Sequence, residues 1–345
     1  MTHTTPSTLR RRLLAAAALA PLALAAGLAA PGEAAAQPVM KMASATINDV
    51  QHEWQKVFKA GVEERLGTDA LTIELYPASQ LGAIPRMVEG TLFGTIESFI
   101  TPTAFLTGTE PTLQVFEAPG LFESPEHVGR VIHDPDYRDH IETMALDKGL
   151  RIVGAIFNSP TLVLTREPVS TLDGFEGLKI RTFATPLQTE PMSALGASPT
   201  PMALSDVVPA LQSGNIDGMV AGMPILTAFK YWDVAQYVTD LGFSQLVSVN
   251  VVNEQWFQGL PEDVRQVILE EGREAEQAVL SWGIENVERA NATWEENGGE
   301  ILELPQDEHD RMMDMFAEIG ADILSQDDAV ATEYDRLVEV VEANR

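Results

Sequence analysis

Residues 177–218 read GLKIRTFATPLQTEPMSALGASPTPMALSDVVPALQSGNIDG, and the order of elements in this stretch sets the fold class. A short strand ends at Arg181. After Pro201 the chain enters a helix at Leu204, with Ser205 and Asp206 in its first turn, and leaves it at Gly214, after which residues 217–220 form a buried strand. Strand, helix and strand in succession are the working unit of an α/β sheet. The same stretch puts a guanidinium at a strand end in a strongly acidic chain. Its coplanar paired donors match a carboxylate, which makes Arg181 a candidate anchor for a small organic acid; taken alone, it reads more readily as a strand-end surface ion pair.

The alternation continues outward on both sides. Toward the N-terminus, strands are expected at 39–45, 71–76, 96–99, 151–157 and 161–165, and helices at 51–66, 84–92, 125–132 and 137–148. Toward the C-terminus, SVNVV at 248–252 reads as a further strand. Residues 261–296 read as one long helix, opened by Pro261, Glu262 and Asp263 and closed by Gly298 and Gly299. Unbroken, it spans about 54 Å, enough to brace two lobes; Gly272 and Gly283 are the places where it would divide into two helices instead.

The first residues state where the protein works. TLRRR at 8–12, an apolar Ala/Leu run over 13–30 and small residues at 34–36 have the layout of a secretory leader, with cleavage expected after Ala36. Arg11 and Arg12 followed by two leucines fit a twin-arginine leader in part, and an ordinary Sec leader as well. No later stretch approaches about 18 consecutive apolar residues, so a soluble mature chain is expected. The chain carries 22 Lys and Arg against 51 Asp and Glu, a net charge of −29, and without the leader the balance falls to −31. That argues against nucleic acid as a partner, which needs a basic face. With no cysteine, an exported chain of this kind rests on core burial rather than disulfides.

Enzyme signatures are missing: no GxSxG elbow, P-loop or GxGxxG turn occurs, and thiol chemistry has no residue to use. HEWQK at 52–56 lacks the second histidine of a zinc-binding helix, and His127, His133 and His140 lie six and seven apart on separate helical segments, a poor ligand spacing. No metal site and no cofactor is expected. A periplasmic hydrolase or lyase is the alternative class.

Four linked motifs carry a resemblance. YPASQLG at 76–82, GLKIR at 177–181, GASPTPM at 196–202 and ALQSGNIDG at 210–218 resemble those of TRAP-type periplasmic solute-binding proteins of the dicarboxylate-binding (DctP) kind, in the family's order and spacing. The resemblance implies a two-lobed α/β periplasmic-binding-protein fold, with mixed sheets flanked by helices, a ligand cleft between the lobes and the long helix bracing both. It further implies a non-enzymatic subunit that delivers a small organic acid to the permease membrane subunits of an ion-gradient-driven transporter, with Arg181 pairing with the ligand carboxylate. Lobe I is expected over 37–158 and about 248–287, lobe II over 159–247 and about 288–345. A monomer is the default and a homodimer the variant; a sensory binding protein would share the fold. The chain departs from the family in having Pro160 or Thr161 where many relatives carry a second polar residue, and Ala221 where asparagine is frequent. Both changes predict a less polar pocket suited to a monocarboxylate or an acid with an apolar body, with a C4-dicarboxylate still open.

Further candidates lie where strands feed helices, the ligand edge of such sheets. After the first strand come Thr46, Asn48 and Trp54, the last placed equally well for core packing; Thr101 follows another strand. Asn158 is either a ligand contact or the turn residue before Ser159-Pro160. Phe183 shares the strand face of Arg181. Met219 and Met223 read as an adaptable apolar wall or as core filling, Trp232 as packing beneath the cleft, and Gln245 as a polar contact or a solvated loop residue.

Overall fold

The computed structural model describes residues 37–345, so the expected leader lies outside the described residues. β1 (Val39–Ser44), α1 (Val50–Leu66), β2 (Thr72–Tyr76), α2 (Ile84–Leu92) and β3 (Ser98–Pro102) come first. Two 3-10 turns, Thr103–Phe105 and Pro111–Glu117, then α3 (Pro125–Ile132) and α4 (Pro135–Thr143) lead into β4 (Leu150–Thr165). There follow β5 (Lys179–Arg181), α5 (Pro186–Ala194), β6 (Ser198–Pro199), α6 (Val207–Gln212), β7 (Gly218–Ala221), α7 (Met223–Ala228) and β8 (Tyr237–Asn253). The chain ends with α8 (Glu254–Gln258), α9 (Glu262–Glu296), β9 (Glu300–Glu303), α10 (Gln306–Leu324) and α11 (Asp328–Ala343).

The strands form one mixed sheet in the order β2-β1-β3-β8-β4-β7-β5-β6, with β9 also on β8. Two long antiparallel strands run through it. The first half of β4 pairs with the last residues of β8, which in turn border β3; Leu162–Thr165 of β4 pair with β7 and with residues 237–240 of β8, which carry β9. Each half of the sheet is covered on both faces. Alternate residues of β1 and β7 divide between two cores, Met40 and Met42 against Ala43, and Met219 against Val220, as the two-residue period of a strand requires.

The expected strands 151–157 and 161–165 are therefore one strand. Asn158-Ser159-Pro160 reads as a turn, yet the pairing with β8 shifts register there, between Phe157 and Ser159 and again between Pro160 and Leu162. A proline lacking an amide hydrogen is tolerated at such an irregularity. Two helical expectations also change. The helix expected over 137–148 ends at Thr143 and is followed by a 3-10 turn at Leu146–Lys148, while that expected over 204–214 begins as a 3-10 turn, Leu204–Asp206, and becomes α6. α5 lies where no helix was expected; its Pro186 occupies the first turn, where no amide hydrogen bond is needed.

α9 is continuous for 35 residues. Its N-terminal part packs in one core with Trp54 and Phe58, and Ala290 and Trp294 near its end pack in the core under β7 and α7. The two glycines are points of close approach, not breaks. A Cβ on Gly272 would land on the Val153 carbonyl of β4, and one on Gly283 would lie 3.0 Å from Val50 Cγ2. Beside that crossing Glu276 takes the Ala155 amide at 2.7 Å and the buried Arg138 guanidinium at 2.8 Å, which fixes the helix on the long strand. No helix among the described residues is long and apolar enough to cross a membrane.

Candidate functional site

A narrow cavity of about 40 Å³ opens between the ends of β1, β3, β5 and β7. One group of lining residues belongs to the first half of the sheet: Ala45 and Thr46 after β1, Gln51 in the first turn of α1, Ile84 at the start of α2, and Thr101, Pro102 and Phe105 at and after β3. The other group is Arg181 and Phe183, Leu204, Ala221 and Gly222, and Ile225 of α7, while Asn158 and Leu246 come from the two long strands. Gly222 has room for no side chain, because a Cβ there would overlap the Ser159 hydroxyl.

Arg181 is 2% exposed. Its Nε donates to the Met202 carbonyl and its Nη1 to the Val220 carbonyl, each at 3.2 Å, and its guanidinium stands 4.9 Å from the centre of the Phe183 ring. These partners are neutral. Among the described residues no carboxylate pairs with it, whereas Arg138, also buried, meets both oxygens of Glu276 at 3.0 and 3.1 Å. Burial pushes the Arg181 guanidinium down to about 10, slightly offset by the nearby Tyr231 hydroxyl, so it stays charged at neutral pH. A buried cation without an anion is costly unless something arrives to neutralise it.

On the first half of the sheet the polar groups are neutral and partly spoken for. Gln51 Nε2 donates to Asp49 Oδ2 and to Thr46 Oγ1, both at 3.1 Å, and Asp49 Oδ1 caps α1 by accepting from the His52 amide at 3.1 Å. Burial pushes the Asp49 carboxyl up, against the lowering effect of these hydrogen bonds. Asn158 donates to Ser248 Oγ at 2.8 Å, and the buried Thr101 hydroxyl has no partner among the described residues.

Of the residues expected from sequence, Arg181, Phe183, Asn158, Thr101 and Thr46 thus come together at the cavity. Trp54 does not: it is fully buried, stacked on Phe58 at 5.0 Å, with its indole nitrogen donating to Gly272 O. Asn48 is exposed in a left-handed turn (φ 59°). Met219 and Met223 fill the core beneath β7, and Trp232 packs edge-on against Trp294. Gln245 faces Pro160 at the register shift, outside the lining. The spacing of Gln51 behind β1 was a usable signal for it; nothing in the local pattern marks Leu204 or Leu246. Among the described residues no cluster of His, Asp or Glu could hold a metal ion; His140 instead pairs with Glu333 at 2.7 Å.

Known proteins share this architecture. A 2,3-diketo-L-gulonate-binding periplasmic protein of Escherichia coli strain K12 is 27% identical over 72% of this chain and 76% of its own. An ectoine/5-hydroxyectoine-binding periplasmic protein of Ruegeria pomeroyi is 26% identical over 73% of each. A TRAP periplasmic solute-binding protein from Anaerococcus prevotii, solved with α/β D-glucuronate, superposes with a TM-score of 0.82 at 26% identity, covering 89% of this chain and 99% of that one. All three are named as solute- or ligand-binding proteins, and the solved one shares the two-lobed fold. The family model for bacterial extracellular solute-binding protein, family 7 (DctP), matches residues 42–327, and the chain belongs to that family.

Proposed function

We propose that this protein captures a small organic acid in the periplasm and hands it to the membrane subunits of a TRAP permease, with Arg181 pairing with the ligand carboxylate. The observation that carries the reading is a buried guanidinium, held by two carbonyls and an aromatic ring, with no carboxylate of the described residues beside it. The relatives' names point the same way: diketogulonate, ectoine and glucuronate each carry one carboxylate. Residues 37–158 with about 248–287 form one lobe and 159–247 with about 288–324 the other, while α11 returns to the first lobe, where Val330, Leu337 and Val341 join its core and Tyr137 donates to Glu333 at 3.0 Å. A ligand that touches both favours the closed arrangement. Residues 1–36 are the leader that directs export, by the Sec or the twin-arginine route.

The test is calorimetric titration of the ligand-stripped protein with sugar acids, ectoine, short monocarboxylates and dicarboxylates, and neutral polyols. One acid class is expected to bind, and Arg181→Ala to lose about 2–5 kcal/mol of that affinity. Equal binding by Arg181→Ala, or binding of neutral compounds alone, rejects the reading.

A further inference from the structure

We propose that the site is built for a monocarboxylate carrying a neutral hydrogen-bond donor at the end remote from its carboxylate, with Gln51 reading that donor and Asp49 fixing how Gln51 is turned. The inference rests on the carboxylate reading and narrows it. Among the described residues Arg181 is the sole cation lining the cavity, and none that lines it is acidic. One ligand carboxylate is therefore matched, a second would be buried without a counter-charge, and an ammonium group would meet no anion.

The orientation of one amide decides what the remote end must offer. Gln51 donates through Nε2 to the Asp49 carboxylate and to the Thr46 hydroxyl. An ionised carboxylate only accepts, so turning the amide over would set Oε1 against Asp49 Oδ2. Asp49 cannot move aside easily, since it is fully buried and caps α1. Gln51 lines the cavity and spends its donors on Asp49 and Thr46, which leaves Oε1, without a partner among the described residues, as the acceptor it has to offer a ligand. Thr101, on the same cavity lining, contributes a buried hydroxyl that also lacks a partner among the described residues. A ligand hydroxyl satisfies both groups, donating to Gln51 and accepting from Thr101, whereas a second carboxylate would face the Gln51 carbonyl oxygen. Ile84, Phe105, Phe183 and Ile225 suit a hydrocarbon body between the two ends.

The experiment compares matched acids of four to six carbons: the unsubstituted monocarboxylate, its ω-hydroxy derivative and the dicarboxylate of equal length. Each is titrated into the protein expressed from the full sequence, purified and stripped of bound ligand. The ω-hydroxy acid is expected to bind at least about tenfold more tightly than either companion, one hydrogen bond's worth of discrimination. Asp49→Asn keeps a capping side chain but lets the amide turn, so it should shrink the preference over the dicarboxylate. Gln51→Leu should shrink the preference over the unsubstituted acid. A general loss of affinity from disturbed folding would lower all three acids together and leave the ratios standing, which overturns the assignment of Asp49 and Gln51. A dicarboxylate bound as tightly as the hydroxy acid overturns the ligand class while leaving the Arg181 reading intact. If no acid binds and neutral compounds do, the carboxylate reading falls and this inference with it.

Discussion

Arg181 works against the stability of the empty protein. Its charge is buried among carbonyls and an aromatic ring, and neutral acceptors repay only part of the desolvation. Arg181→Met, similar in length and apolar, should therefore leave the ligand-free protein at least as stable as the parent in chemical denaturation, and more stable by about 1–3 kcal/mol where the methionine packs well. Acid ligands should then stabilise the parent and leave the variant unmoved. A variant destabilised without ligand would show that Arg181 has a structural partner after all. This residue was readable because GLKIR fixes its place on a strand end. Gln51 was harder to see, since its role comes from Asp49, two residues earlier and turned inward by the cap of α1. Trp54 illustrates the opposite error: it stands on the right helix, and the same helical spacing turns it into the core.

At the level of elements, local signals were sound and their interpretation depended on what lay alongside. The alternation of strands and helices was legible from β1 to β5 and at α6 and β7, as was the long helix α9, whereas α5, α7, α10, α11 and the first part of β8 lie where no element was expected. The continuity of β4 was not, because Asn158-Ser159-Pro160 carries a turn signal, and only the register shift against β8 accommodates it within a strand. The glycines of α9 are a second case. Propensity alone marks both as weak points, worth about 1 kcal/mol each relative to alanine, but contact with the sheet separates them. Gly272→Ala drives a methyl onto backbone, the Val153 carbonyl, and should destabilise by about 2 kcal/mol or more. Gly283→Ala meets only a valine methyl at 3.0 Å, so the propensity gain offsets much of the crowding and the net change should stay within about 1 kcal/mol. Denaturant midpoints of the two variants check the ordering; equal losses would mean that α9 can slide on β4.

Across the whole molecule, acidity and burial act on stability in the same direction with pH, and one residue separates them. Glu117 ends the 3-10 turn that packs in the core of the first half of the sheet, and its Oε2 accepts from Thr185, just before α5, at 2.8 Å. Its other oxygen has no partner among the described residues, and the Gln188 amide beside it makes no well-formed bond. Burial, only partly opposed by these neighbours, pushes the carboxyl from 4.5 up to about 7. The folded state thus binds the proton more tightly than the unfolded chain. The contribution is complete below about pH 4.5 and is lost as pH rises through about 7, a change of about 3 kcal/mol. The chain's net charge of −29 adds repulsion over the same range, and Asp49, also raised by burial, has the same sign. Glu117→Gln isolates the one group, since glutamine is the neutral isostere of the protonated acid and keeps an acceptor for Thr185. Parent and variant should have nearly equal stability at pH 4.5, with the variant ahead by up to about 3 kcal/mol at pH 8. Added salt should raise both together at pH 8 by screening surface repulsion, without closing the gap between them. Parallel pH profiles would show that Glu117 ionises freely, leaving surface repulsion and the other buried carboxyls as the sources of any alkaline loss.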